Sequence, residues 1–257
     1  LEGSYARAAL VSDVQFYEDY PYHYASDVSR RHRWIRGDWQ ILPWLFASVR
    51  GPGGVRSKNP ISFLSQWKIL DNLRRSLVPC ATVLLLVAGW MLFSPSWLWS
   101  ALVIALLGFP LVPMSLVEAM RKPEDLSARV HLSAVLVSFK KNAIRFFFSL
   151  VFLLHEAFYS LDAIVRTLWR MFVSRRGLLE WKTSGEAGAS VLKNVWEGYQ
   201  KLPFEPLAAF LLMLTPFAIS DGPAWTLLGL WIIFPAVVYG ISQPSMPRKI
   251  LLSGKQI

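Results

Sequence analysis

The sequence is short of cysteine, and its basic residues are missing from two long stretches. Cys80 is the single cysteine in 257 residues, which excludes an internal disulfide framework and a cysteine-based metal site. The chain has 27 lysines and arginines and a formal net charge of +10, yet 76–120 and 202–247 contain none. Nucleic-acid-binding proteins cluster basic charge on a folded surface, whereas this partition follows membrane-buried and aqueous segments. We therefore predict a lipid bilayer around the chain and no nucleic-acid partner.

The composition that remains is strongly apolar and aromatic. Apolar residues make up 54% of the chain, and its mean hydropathy is +0.37. A soluble domain has roughly 45–50% apolar residues. The 12 tryptophans and 16 phenylalanines are typical of a protein with aromatic side chains at the membrane interfaces. These values predict a membrane protein.

Four apolar runs without basic residues are predicted to cross the bilayer, which takes roughly 17–25 helical residues. The predicted spans are 77–94, 97–118, 206–220 and 224–241. Pro110 and Pro113 are expected to kink the second span. Both chain ends and the 121–204 segment are predicted to be cytosolic, because the two short loops between paired spans lack basic residues.

The segment between the two pairs of spans mixes charge with apolar periodicity. From Ile144 to Phe172, apolar residues recur every three or four positions, which predicts an amphipathic helix. We expect this helix to lie in the interface or to pack on the bundle; a buried re-entrant helix is the alternative. Asp162 and Arg166 are four residues apart and are expected to pair.

A second amphipathic helix is predicted to start after Ser62. Phe63, Trp67 and Leu70 form its apolar stripe, so it is expected to lie at the membrane surface before the first span. The preceding residues 51–54 read Gly-Pro-Gly-Gly. Their spacing differs from that of phosphate-binding loops, and a turn is the better interpretation.

Residues 30–40 are the most unusual stretch of the chain. They read Arg-Arg-His-Arg-Trp-Ile-Arg-Gly-Asp-Trp-Gln, with four arginines and two tryptophans. Ser26 or Asp27 is predicted to cap a helix that continues through Trp34. Arginines and tryptophans before a span are also typical of topology signals and interface anchors, so both interpretations remain open on composition.

One face of this predicted helix suits a charged sugar nucleotide. Arg30, Arg33, Trp34 and Gly37 share that face, because spacings of three and four residues stack side chains. Guanidinium groups bind phosphate in a bidentate manner. Two of them beside an indole ring can therefore hold a pyrophosphate and stack on a sugar.

The spacing Arg-x-x-Arg-Trp at 30–34 resembles the Gln-x-x-Arg-Trp motif of processive family-2-type glycosyltransferases. Almost the whole chain resembles the bacterial cyclic β-1,2-glucan synthases. The stretches that carry this resemblance are 1–7 (LEGSYAR), 17–21 (YEDYP), 31–40 (RHRWIRGDWQ), 67–77 (WKILDNLRRSL), 161–170 (LDAIVRTLWR) and 178–181 (LLEW). Arg30 stands where the wider superfamily has glutamine, so that glutamine's role is not carried over.

The resemblance implies a mainly α membrane protein, with the end of a GT-A-like glycosyltransferase domain followed by four transmembrane helices and amphipathic interface helices. It implies a multi-pass enzyme of the bacterial inner membrane that joins glucose from UDP-glucose to a growing glucan chain. The residues expected to contact the substrate are Arg30, Arg33, Trp34, Asp38 and Trp39. The catalytic base and the ligands of a divalent metal, Mg or Mn, are expected upstream of Leu1, in the rest of a longer polypeptide. This chain alone is therefore expected to be inactive and to contain neither catalytic nor metal-binding residues.

The predicted divisions are 1–75, the end of the glycosyltransferase domain; 76–120, a transmembrane hairpin; 121–205, a cytosolic or interfacial helical segment; 206–243, a second hairpin; and 244–257, a cytosolic tail. His155 and Glu156 lack the second histidine that a zinc-protease helix would have at position 159, so no metal role is expected for them.

The alternative function is a non-catalytic membrane transport or anchoring module. Transporters place polar groups inside their spans, and the predicted spans hold almost none.

Overall fold

A computed structural model describes residues 13–15, 23–51, 54–122, 126–178, 192–215 and 222–243. The first twelve residues of the predicted glycosyltransferase remnant lie outside this part, as does the predicted tail at 244–257. The described part is mainly helical, with one short antiparallel hairpin. This confirms the mainly α fold class, and four of the described helices are long and apolar enough to cross a membrane.

The described part contains eight α-helices and one hairpin. The helices are α1 (Tyr24–Gln40), α2 (Phe63–Leu92), α3 (Trp97–Gly108), α4 (Leu111–Met120), α5 (Ala128–Trp169), α6 (Val195–Lys201), α7 (Phe204–Met213) and α8 (Gly222–Ile241). A 3-10 turn (Leu42–Leu45) follows α1, and a π-helical turn (Arg170–Ser174) ends α5. Between α1 and α2, β1 (Ser48–Arg50) pairs with β2 (Arg56–Lys58).

Helix α1 begins earlier than predicted. Its N-cap is His23, which makes no capping bond with its side chain. Ser26 is buried in the first turn. Asp27 instead accepts hydrogen bonds from Arg30 Nη2 at 3.0 Å and from Arg31 Nε at 2.7 Å. The predicted caps at Ser26 and Asp27 are therefore wrong, because Asp27 is bonded to side chains one turn further on. The helix through Trp34 is confirmed.

Helix α2 joins the predicted surface helix and the first span into one element. Ser62 Oγ accepts a hydrogen bond from Ser65 N at 3.2 Å, which confirms the predicted start. The helix then runs for 30 residues through Pro79, about 45 Å at 1.5 Å per residue. The apolar stripe of its first turns is exposed: Phe63 80%, Trp67 56% and Leu70 47%. Since the hydrocarbon core is about 30 Å thick, this end extends beyond it.

The second and fourth spans agree with the prediction. Residues 97–120 form a candidate span of 24 residues, interrupted between α3 and α4 at Phe109 and Pro110, where a kink was predicted. Helix α8 forms the fourth, with Pro235 inside it. Proline removes one backbone donor, and neighbouring helices satisfy such gaps in membrane proteins.

The third predicted span is wrong as far as the described residues extend. Helix α7 has 10 residues, about 15 Å, which is half the thickness of the hydrocarbon core. The third candidate span is instead 128–174, which comprises α5 and its π-helical turn. Of the two positions expected for the 144–172 helix, packing on the bundle is the one observed. Asp162 and Arg166 pair as predicted, at 2.7 Å.

Helix α5 is the centre of the packing. The largest buried cluster joins its Leu150, Leu153 and Leu154 to Leu86 of α2 and Trp231 of α8. The indole Nε1 of Trp231 donates to Leu150 O at 3.1 Å. Buried indole N–H groups need such acceptors. The half of α5 that follows this cluster packs against α1 and the start of α2, and this arrangement forms the site described next.

Candidate functional site

Helix α1 is attached to its neighbours by polar contacts along its length. His32 Nε2 lies 2.8 Å from Asp162 Oδ2 on α5. Trp39 Nε1 donates to Ser76 Oγ on α2 at 2.9 Å, and Gln40 Nε2 donates to Leu178 O at 2.8 Å. Because these bonds come from both halves of the helix, they fix its rotation relative to α5 and α2.

A cavity of about 990 Å³ lies where α1, α2 and α5 meet. Its α1 lining is Arg30, Arg31, Arg33, Trp34, Ile35, Gly37 and Asp38; its α2 lining is Asn72, Arg75, Ser76 and Pro79; its α5 lining is Glu156, Tyr159 and Ser160. Four arginines and two carboxylates thus line the cavity. From outside the lining, Asp27 pairs with Arg30 and Arg31, and Asp71 pairs with Arg75. Guanidinium groups match phosphate oxygens in geometry, so these arginines can bind an anion.

Arg30 is held against the only tryptophan in the lining described. Its guanidinium carbon lies 4.8 Å from the ring centroid of Trp34, and its Nη2 is paired with Asp27 at 3.0 Å. A cation within about 6 Å of an indole face is attracted by the ring quadrupole. Trp34 remains 57% exposed, so much of the ring is accessible to a ligand in the cavity.

Two carboxylates sit among the arginines in different surroundings. Glu156 Oε1 lies 3.8 Å from Arg31 Nη1, which is also paired with Asp27. Asn72 Nδ2 donates to Asp38 Oδ1 at 3.2 Å. Burial raises the pKa of the Asp38 carboxyl, and the bond from Asn72 lowers it in part. The Asp38 carboxyl therefore takes up a proton at a higher pH than an ordinary aspartate.

The structure brings together four of the five residues predicted to contact substrate. Arg30, Arg33, Trp34 and Asp38 all line the cavity. Trp39 does not: its indole bonds to Ser76 and packs on the cluster of Ile61, Ile69 and Leu73. Its position is that of a packing residue between α1 and α2.

Gly37 and Arg36 are also placed as helical periodicity predicted. A Cβ added at Gly37 would meet no heavy atom within 4 Å, so this position opens into the cavity beside Arg33 and Trp34. Arg36 is outside the lining, and its Nη2 donates to Gly177 O at 3.4 Å. Arg36 thus helps to attach α1 to the segment after α5, and it does not add to the charge of the cavity lining.

Sequence analysis missed the contributions of the other two helices. Arg75 and Asn72, one turn apart on α2, and Glu156, Tyr159 and Ser160 on α5 complete the lining. The available signal was the three-and-four spacing of polar residues on one side of α5, but nothing in the sequence placed that side against α1.

A buried polar pair lies behind the cavity. His155 Nδ1 and Glu205 Oε1 are 2.6 Å apart, and the two side chains are 9% and 2% exposed. They join α5 to the first turn of α7. Among the described residues, Glu205 Oε2 has no hydrogen-bond partner. The ring of Tyr24 lies 5.6 Å from that of His155, so the pair also touches the first residue of α1.

The described residues do not fit a divalent metal. No group of three or more His, Cys, Asp or Glu side chains in this part of the chain is placed to hold one. His155 faces Glu205, and His32 faces Asp162, without a third ligand of this kind. The expected metal ligands therefore stay a prediction for residues outside the described part, and no step is assigned to them here.

Comparison with known proteins matches no family model. The chain is 38% identical over 252 residues to the cyclic beta-(1,2)-glucan synthase NdvB of Rhizobium meliloti (strain 1021), across 95% of its own length. The chain is similar to a segment of a cyclic β-1,2-glucan synthase. It spans 8% of that relative's length.

This similarity confirms the resemblance predicted from the sequence. The match covers 95% of the chain, and the uncovered 5% is shorter than the 29 residues that precede Arg30, the first residue of the cavity lining. The cavity therefore lies within the matched region. The candidate spans indicate a multi-pass membrane protein, and the chain is similar to part of a glucan synthase.

Proposed function

We propose that the chain is the membrane-embedded part of a glycosyltransferase of the bacterial inner membrane that polymerises glucose from UDP-glucose into cyclic β-1,2-glucan. The observation that carries the proposal is the cavity, which four arginines line together with an exposed tryptophan. The similarity to a glucan synthase supports the same function. The catalytic base and the ligands of a Mg or Mn ion belong to other parts of the polypeptide.

In this proposal the arginines receive the leaving diphosphate. Negative charge builds on the diphosphate as the glycosyl bond breaks, and preorganised cations at that position lower the barrier. Arg30 and Arg33 project from the same face of α1, while Arg75 approaches from α2. Arg30 is already oriented by Asp27 and by the ring of Trp34, so little side-chain freedom is lost when the phosphate arrives.

Trp34 provides the contact for the acceptor sugar. The C–H face of a glucose ring is apolar and carries slight positive charge, so it stacks on the electron-rich face of an indole. Arg30 covers part of one ring face at 4.8 Å. Asp38 and Asn72, at the edge of the same cavity, supply acceptors and donors for sugar hydroxyls.

Substitutions on neighbouring faces of α1 test this assignment in the full-length polypeptide. Arg33→Ala should slow glucose incorporation tenfold to over a hundredfold, because a charged hydrogen bond in a water-poor site contributes roughly 1.5–3 kcal/mol. Trp34→Ala should raise the requirement for glucan acceptor more than that for UDP-glucose. Arg36→Ala is the matched control, since this arginine lies outside the cavity, and should be milder.

Rates must be normalised to folded protein in detergent. If Arg33→Ala and Trp34→Ala both keep the unsubstituted rate per folded molecule, the cavity is not the substrate site. Equal losses of expression in all three variants, with normal rates per molecule, would instead show that residues 30–40 act as a membrane anchor.

One observation favours a second candidate, a transport module. The predicted spans held almost no polar groups, but the candidate span 128–174 buries His155 against Glu205. Ionisable groups inside spans are typical of transport pathways. A solute flux through proteoliposomes that His155→Leu abolishes, with glucose incorporation unaffected, would support this candidate over glycosyl transfer.

A further inference from the structure

The β-hairpin carries a cationic face. Arg50 lies directly opposite Arg56, and Ser48 lies opposite Lys58. Residues that pair across a hairpin share one face, as do residues two apart along a strand, so Arg50, Arg56 and Lys58 all project from the same side. Like charges directly opposite each other destabilise a hairpin. A bound anion would remove that repulsion.

A third arginine reaches the same place from the end of α5. Arg175 has a φ of 52° and follows the π-helical turn 170–174. This left-handed conformation is uncommon for residues other than glycine, and such outliers cluster at binding sites. It places Arg175 in the lining of a cavity of about 740 Å³ together with Arg50 and Arg56.

This cavity is named the hairpin cavity. Its lining, as far as the described residues form it, contains no acidic side chain. Within the described part of the chain, none of its three arginines forms an ion pair with a carboxylate. The rest of the lining includes Phe46 and Phe172, which are 62% and 61% exposed. The cavity shares no residue with the α1 cavity, so it is a separate site.

We propose that the hairpin cavity binds the phosphate headgroup of an anionic phospholipid. Three guanidinium groups supply the charge complementarity, and phosphate is the group that their geometry matches. Basic pockets at the ends of membrane spans are suited to acidic headgroups. The site adjoins the last turn of the candidate span 128–174, which is where a headgroup would lie.

The surroundings favour a lipid over a soluble phosphate. Trp169, Phe172 and Val173, on the last turns before Arg175, are 57–61% exposed. Apolar side chains next to a phosphate site provide a surface for acyl chains, whereas inorganic phosphate gains nothing from them. The occupant is therefore an acidic lipid held by its headgroup and the first part of its chains.

The test compares short-chain phosphatidylglycerol with short-chain phosphatidylcholine on the detergent-purified protein, with bound lipid counted by native mass spectrometry. The unsubstituted protein should retain phosphatidylglycerol in preference. Each arginine near an acidic headgroup contributes about fivefold in affinity, so Arg175→Gln should weaken binding by about that factor. The triple variant Arg50→Gln/Arg56→Gln/Arg175→Gln should weaken it on the order of a hundredfold.

A matched control separates this site from general surface charge. Arg121→Gln/Lys122→Gln/Arg129→Gln removes the same charge from exposed positions near other helix ends, and it should leave phosphatidylglycerol binding unchanged. Equal binding of the two lipids, or equal losses in the two triple variants, would overturn the proposal. If the hairpin triple variant does not fold, Arg175→Gln alone decides, and the absence of any loss would count against the site.

Glycerophosphoglycerol distinguishes a lipid from a soluble phosphate, since it carries the phosphodiester headgroup of phosphatidylglycerol without acyl chains. It should compete only at much higher concentration than phosphatidylglycerol. If it binds as tightly and loses affinity equally in the hairpin triple variant, the site takes a soluble phosphate and the lipid assignment fails.

Discussion

Removing one member of the His155–Glu205 pair should destabilise the protein more than removing both. His155→Leu leaves the Glu205 carboxylate 2% exposed, 2.6 Å from where its partner was, with neither oxygen bonded within the described residues. Breaking a buried pair in this way costs about 3–5 kcal/mol. Glu205→Leu should cost less, about 1–3 kcal/mol, because the imidazole left behind can be neutral.

The double variant His155→Leu/Glu205→Leu replaces the pair with apolar side chains and should be close to neutral. The single-variant losses therefore do not add, and the coupling energy should equal their sum, about 4–8 kcal/mol. Thermal unfolding of detergent-purified variants measures this. For a chain of this size 1 kcal/mol shifts Tm by about 2–4 °C, so His155→Leu should lower Tm by about 6–20 °C.

Leu161→Ala is the control on the same helix. Leu161 is 52% exposed, and a substitution at such a position should change stability by less than about 0.5 kcal/mol. If the two single-variant losses sum to that of the double variant, His155 and Glu205 do not interact, and α7 does not contact α5 at this point. A loss below about 1 kcal/mol in His155→Leu would refute the reasoning by itself.

Two further predictions separate packing from function. A Cβ at Gly89 would lie 2.4 Å from the side chain of Trp99, whereas one at Gly229 would meet nothing within 4 Å. In thermal unfolding, Gly89→Ala should therefore destabilise the protein by about 1–3 kcal/mol. Gly229→Ala should be neutral or should stabilise it by up to about 1 kcal/mol. Trp39→Phe should lose its bond to Ser76 and about 0.5–1.5 kcal/mol of stability, with a normal rate of glucose incorporation per folded molecule. A rate loss like that of Trp34→Ala would show that Trp39 belongs to the substrate site.

The parts of the fold that sequence predicted are those governed by local properties. Charge-free apolar runs and the serine at 62 specify where α2, α3 and α8 lie, because hydropathy and helix capping act within a few residues. The cap of α1 failed for a reason that is also local. Asp27 has two arginines within one turn, and ion pairs at spacings of three and four residues compete with capping for the same carboxylate.

The candidate site was predictable only on the helix that carries its arginines. Periodicity placed Arg30, Arg33 and Trp34 on one face, and the structure agrees. Trp39 is five residues beyond Trp34, about 140° further around a helix of 3.6 residues per turn, so the same rule would have assigned it to another face. Arg75 and Glu156 come from helices far along the chain, and no spacing rule relates them to α1.

The span that sequence analysis missed and the cavity residues that it missed have one cause. His155, Glu156 and Asp162 made α5 too polar to be predicted as a span, because an isolated charge in hydrocarbon is costly. In the folded protein these side chains face Glu205, Arg31 and His32, respectively. Partners on α7 and α1 offset the cost.

The two helices therefore depend on each other. Helix α1 supplies the partners that the polar side chains of α5 need, and α5 fixes the position of α1. Two of the three contacts are with α1, and one of these, Arg31 with Glu156, lies in the cavity lining itself. Substitutions that remove the partners, such as His32→Leu, should therefore loosen α5 and shift the arginines of the cavity together. A variant that keeps the cavity residues but loses this attachment should lose both stability and glucose incorporation, whereas Arg33→Ala should lose incorporation alone.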